Sequence, residues 1–126
     1  MSVSQGPGAG QPTIDWSKFV VPSGPEVILD GVSPALLQYI GLLGRVHEAL
    51  FGHALVITSG RDGTHAPGSL HESGLAVDIR ISDLDIEHQV LFLNVISATC
   101  VDWECRVFDE RVGPGGPHIH IEYRGA

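Results

Sequence analysis

Two short segments constrain this chain more than any other feature of it. Residues 75–81 read LAVDIRI and residues 118–123 read HIHIEY. Alternation over that length marks β-strands with one buried face, because successive side chains point to opposite sides of a strand. In the first segment Leu75, Val77, Ile79 and Ile81 make the apolar face, and Ala76, Asp78 and Arg80 the other. In the second, Ile119, Ile121 and Tyr123 take the apolar face, leaving His118, His120 and Glu122 opposite. A solvated outer face mixes Lys, Thr and Glu; this one carries imidazoles and carboxylates beside the small Ala76. If the two strands pair, Asp78 and His120 meet.

The remaining elements follow from punctuation and periodicity. Glu26–Leu29 is a short apolar run closed by Asp30-Gly31, which predicts a strand and turn. Ser33-Pro34 offers an N-cap with proline at the first helical position. Leu36, Leu37, Ile40, Leu43, Val46 and Leu50 follow at helical spacing until Gly52. A second helix is expected from Ser82, with Asp85 as its capping-box partner, running through Ile86, Val90, Leu93 and Ile96. Ala54–Thr58 and Glu104–Phe108 complete the strands. Strands and helices do not alternate regularly, so the expected class is α+β: an antiparallel sheet with helices packed on one face.

With 126 residues the chain has room for one domain, read as 13–126, after a Gly-, Pro-, Gln- and Ser-rich segment 1–12 read as a flexible tail. The net charge is −8, with 7 Lys and Arg against 15 Asp and Glu, and no basic cluster. That balance argues against nucleic acid or an anionic membrane surface as partner. No apolar run approaches the roughly 20 residues of a membrane span. The first twelve residues show neither a basic nor an apolar stretch of the secretory kind, which leaves the compartment open. Cys100 and Cys105 are the only cysteines and read as ordinary semi-buried thiols, with their pairing open.

Of the seven histidines, His47, His53 and His88 fall on or beside helices and are left unassigned. The other four lie in THAPGSLHESGLAVDIR, 64–80, and PHIHIEY, 117–123. His71 ends the loop that feeds the first alternating strand, and Gly74 permits the tight turn that swings it back over Asp78. His71, Asp78 and His120 then form two imidazoles and a carboxylate with a fourth position open, the donor set of a catalytic zinc.

These segments carry a resemblance. SGRDGTHAPGSLHESGLAVDI followed by PHIHIEY resembles the zinc D-alanyl-D-alanine peptidases and the Hedgehog signalling domain, which share one fold. The family pattern S-x-H-x-x-G-x-A-x-D with a late H-x-H in a strand is met at Ser69, His71, Gly74, Ala76, Asp78, His118 and His120. The likeness covers roughly residues 25–126. It implies His71, Asp78 and His120 as zinc ligands, with His118 and His65 lining the cleft to meet a substrate carbonyl or oxyanion. It also implies Arg61 and Ser69 as substrate-binding residues, Arg61 at the place of an arginine that takes the substrate's terminal carboxylate. One departure stands out: Pro117 occupies the position, three before the last zinc histidine, where many members carry the catalytic carboxylate. The Hedgehog-like arrangement puts that acid at the end of the preceding strand, which makes Glu110 the first choice as general base, Asp109 the second and Glu122 the third. The implied function is a monomeric zinc metallopeptidase acting on peptidoglycan stem peptides, as D,D-carboxypeptidase or endopeptidase. The alternative is a zinc-holding module of the same fold that serves in binding or as a phage or cell-wall structural part.

Overall fold

The structure, a computed structural model, describes residues 14–62, 69–112 and 116–125. The segment 1–12, His65 and the glycine–proline loop at 113–115 lie outside the described residues.

Helix α1, Pro34–Phe51, begins and ends where its punctuation predicts. The Ser33 hydroxyl accepts the Leu36 N–H, and Pro34 sits first in the helix, where no N–H donor is needed. Gly52 closes it in the left-handed conformation (φ 84°), its N–H donating to the Glu48 carbonyl. Helix α2, Ile86–Thr99, starts later than expected. Asp85 is itself the N-cap, accepting the His88 N–H at 2.9 Å, while residues 82–84 form a turn. The buried Gln89 amide holds that turn by donating to the carbonyls of Ile81 (3.1 Å) and Leu84 (2.9 Å), so the helix cannot extend back to Ser82.

Five strands build one sheet: β1 Val20–Pro22, β2 Leu55–Ser59, β3 Ala76–Arg80, β4 Cys105–Glu110 and β5 His118–Tyr123, in the order β1-β2-β3-β5-β4. The sheet is mixed rather than antiparallel, because β1 runs parallel to β2. A parallel pair needs a crossover connection, and α1 supplies it. The expected strand at Glu26–Leu29 is not in the sheet. Val27 closes a turn onto Gly24, and the Ile28 backbone is spent on the loop after β2, its N–H on Asp62 Oδ1 (2.9 Å) and its carbonyl on the Arg61 N–H (2.8 Å). The sheet's first strand comes instead from Val20–Pro22, too short for alternation to reveal.

One face of the sheet carries the core. Ile57, Val77, Ile79, Ile119 and Ile121 lie fully buried there, in one cluster with Leu36, Ile40 and Leu43 of α1 and Phe92 and Ile96 of α2. Each such side chain contributes about 1.5–3 kcal/mol by leaving water. That burial pins the register, because a one-residue slip would turn every isoleucine outward. The opposite face of β3 and β5 is thereby fixed too.

Candidate metal centre

Register sets the site. In the β3–β5 ladder Asp78 lies opposite His120 and Arg80 opposite His118; in the β4–β5 ladder Phe108 lies opposite His120 and Glu110 opposite His118. Asp78, His120, His118 and Glu110 therefore share the face away from the core.

His71 reaches them from the turn before β3. Leu75 N–H donates to the Leu70 carbonyl and Gly74 N–H to the His71 carbonyl, while the Ser69 hydroxyl accepts the His71 N–H at 3.2 Å. Gly74 is required here: its φ is +79°, and a Cβ would lie 2.1 Å from the Gly31 carbonyl oxygen. Ser69 thus acts on the backbone that aims His71.

The hydrogen bonding of the two imidazoles is the central observation. His71 Nδ1 faces the Gly60 carbonyl at 2.9 Å and its Nε2 faces Asp78 Oδ1 at 3.5 Å. His120 Nδ1 faces the same Asp78 oxygen at 2.9 Å and its Nε2 faces Glu122 Oε1 at 3.0 Å. Each ring has an acceptor at both nitrogens, yet a neutral imidazole has only one N–H to give. His120, with acceptors within 3.0 Å of both nitrogens, needs a second proton or a cation at its inner nitrogen. A cation among the three inner atoms would satisfy both rings, whose centroids lie 5.0 Å apart. With a cation there, the outer nitrogens donate to Gly60 and Glu122, and the inner ones present lone pairs. That is the outer support metal-binding histidines ordinarily have. Tetrahedral zinc with ligand bonds of about 2.0–2.1 Å holds its donors about 3.3 Å apart, a spacing that the 2.9 and 3.5 Å contacts bracket. The donors fit a metal ion.

The electrostatics agree. Burial opposes ionising Asp78, but hydrogen bonds from His120 and His71 hold its carboxyl far below the usual range. Burial likewise disfavours charged His71 and His120, yet the Asp78 carboxylate lifts both above the ordinary imidazole value. The protein has placed a buried negative charge where it draws positive charge.

Beside this group, His118 Nε2 meets Glu110 Oε1 at 2.7 Å and His118 Nδ1 meets the Gly116 carbonyl at 3.0 Å. Asp78, Glu110 and His118 make a second set of convergent donors. Asp109 points elsewhere: Arg111 grips its carboxylate with contacts of 2.8–3.1 Å and holds its pKa down. Glu122 is the support of His120 and is itself held by Arg124 at 3.0 Å. Arg61 ties two loops together, Nε donating to the Glu72 carbonyl and Nη1 to that of Asp30, at 3.1 and 3.2 Å. The structure therefore gathers His71, Asp78, His120, His118 and Glu110, and turns Asp109 away.

The sequence reading missed what Glu122 does. Its signal was present, since the alternation HIHIE puts Glu122 two residues from His120 on the same face. Cys100 and Cys105 are both buried free thiols, and burial pushes the Cys105 thiol up to about 12. No protein-family model matches the chain, and neither a curated protein nor a solved structure is found that is significantly similar to it.

Proposed function

We propose that the chain is a zinc peptidase of the Hedgehog and D-alanyl-D-alanine peptidase fold, cleaving peptide bonds in peptidoglycan stem peptides. The observation that supports it most is Asp78 held between the inner nitrogens of two histidines whose outer nitrogens are already committed. The substrate class rests on the motif resemblance of residues 69–78 and 118–120.

In this reading His71 Nε2, Asp78 and His120 Nδ1 would hold the zinc, which would supply a Lewis acid and a water acidic enough to give up a proton near neutral pH. Glu110 takes that proton as the water oxygen bonds to the peptide carbonyl carbon. It then returns the proton to the departing amine nitrogen as the C–N bond breaks. His118, 2.7 Å from Glu110, keeps the carboxylate pointed across the sheet face. Arg61 Nη2, which makes no hydrogen bond among the described residues, is left to take the substrate's terminal carboxylate.

The test compares two neighbouring acids. Glu110→Gln keeps the shape and removes the base, so release of D-alanine from a muropeptide falls about 10²–10⁴-fold while the zinc on His71, Asp78 and His120 is kept. Asp109→Asn costs far less, because its carboxylate serves Arg111. Reversed effects give Asp109 the role of base. A wild-type protein that holds one equivalent of zinc yet releases nothing is a binding module and not an enzyme.

A further inference from the structure

We propose that Glu110, His118 and Asp78 form a second and weaker divalent-cation site, and that zinc bound there switches the peptidase off. The site itself stands apart from the peptidase reading; the off-switch rests on it.

Three observations carry the site. The donor atoms of Asp78, Glu110 and His118 all lie within 4.8 Å of one another, and all three residues project from the same face of β3, β4 and β5. His118 repeats the pattern of His71: one nitrogen faces a backbone carbonyl, that of Gly116, and the other faces a carboxylate. In the tautomer that gives its N–H to the carbonyl, the ring turns a lone pair toward Glu110, and a cation ligated by both groups would replace their 2.7 Å contact. Asp78 belongs to both donor sets, so one carboxylate is available to hold two ions together.

The order of filling follows from exposure. The side chains of His71, Asp78 and His120 are 7, 17 and 16% exposed, whereas that of Glu110 is 46% exposed. Water competes for Glu110 far more, and Asp78 is already engaged by the first ion, so the second binds less tightly. A Glu110 carboxylate that ligates a cation is a much weaker base and is held away from the attacking water, and hydrolysis stops.

The experiment is a zinc titration of the metal-free protein, in competition with a chromophoric chelator, on wild type, Glu110→Gln and His118→Ala. Wild type is expected to bind in two successive steps; in each variant saturating zinc falls from about two equivalents to about one, the first site keeping its three ligands. A single step in wild type, meaning that His118 and Glu110 form only an imidazolium–carboxylate pair, overturns the proposal. So does a second step that survives both substitutions, which places the extra zinc on other histidines. Release of D-alanine, followed along the same titration, should rise to the first equivalent and decline through the second. Activity that does not decline as the second step fills overturns the off-switch. No activity at one equivalent, with both binding steps intact, overturns the peptidase reading and the off-switch together and leaves the second site standing.

Discussion

At the scale of single residues, each of His71, Asp78 and His120 is both a candidate ligand and a hydrogen-bond partner of another. Substituting alanine at any one should abolish tight zinc binding, since two remaining donors do not hold the ion. His118→Ala should keep the first equivalent. Metal content after dialysis checks both, and equal loss in the His118 variant would show that the wrong histidine of the pair has been assigned. Glu122 gives a finer test. Its carboxylate accepts from His120 Nε2 at 3.0 Å, which directs Nδ1 toward Asp78. Removing such a support weakens metal binding by about 10–100-fold. Glu122→Ala should show that loss, and Glu122→Gln, which retains an acceptor oxygen, a smaller one. Unchanged affinity in both would mean that Glu122 serves only Arg124.

At the scale of elements, the packing of α1 on α2 contains a histidine the metal centre does not use. His47 is 1% exposed, with its ring edge-on to Phe51 and Phe92. Nδ1 donates to the His53 carbonyl at 2.8 Å, and Nε2 has no hydrogen-bond partner among the described residues. Burial pushes its pKa below the ordinary value of 6.5. The sign of the consequence is definite. Below pH 6.5 the unfolded chain takes up a proton that the folded one refuses, so stability falls as pH falls through that value and is fully present above it. His47→Leu should make the decline between about pH 7 and pH 5 shallower, while costing about 1 kcal/mol at neutral pH for the lost bond to His53. Denaturant titrations of both metal-free proteins at each pH supply the comparison. Parallel curves would show that His47 is protonated inside the fold.

At the scale of the molecule, the candidate site joins parts that are distant in sequence. The turn carrying His71 is fastened to the Gly31 region through Ser33 N–H and the Gly74 carbonyl (2.7 Å), and to the loop after β2 through Gly60. Asp78 and His120 come from the paired strands β3 and β5. An ion bound to the native arrangement, and not to the unfolded chain, stabilises the whole by about 2.7 kcal/mol at a hundred times its Kd. Zinc should therefore raise the melting temperature and a chelator lower it, with a much smaller response in His120→Ala, which keeps only the weaker donors Asp78, Glu110 and His118. A response as large as that of wild type in that variant would place the stabilising ion elsewhere.

Much of this was legible in the amino-acid order alone. The caps of α1, the limits of β5 and the core faces of β3 and β5 all follow from local rules. Each depends on one segment's own periodicity or punctuation. Asp78 and His120 alternate with the isoleucines that burial must turn inward, so their faces were legible while their meeting with His71 rests on the β3–β5 pairing. The tertiary structure decided what depends on a partner. Asp109 and Glu110 are adjacent, and only the pairing of β4 with β5, which sets Glu110 opposite His118, tells which of them faces the site. The Ile28 backbone bonds to Arg61 and Asp62, so an apolar run that looks like a strand stays out of the sheet. Three residues at Val20–Pro22 take the sheet position parallel to β2, an edge that only the α1 crossover can deliver. Which nitrogen of each histidine faces Asp78 depends on Gly60 and Glu122 at the far side of the rings, contacts that exist only once the chain has folded.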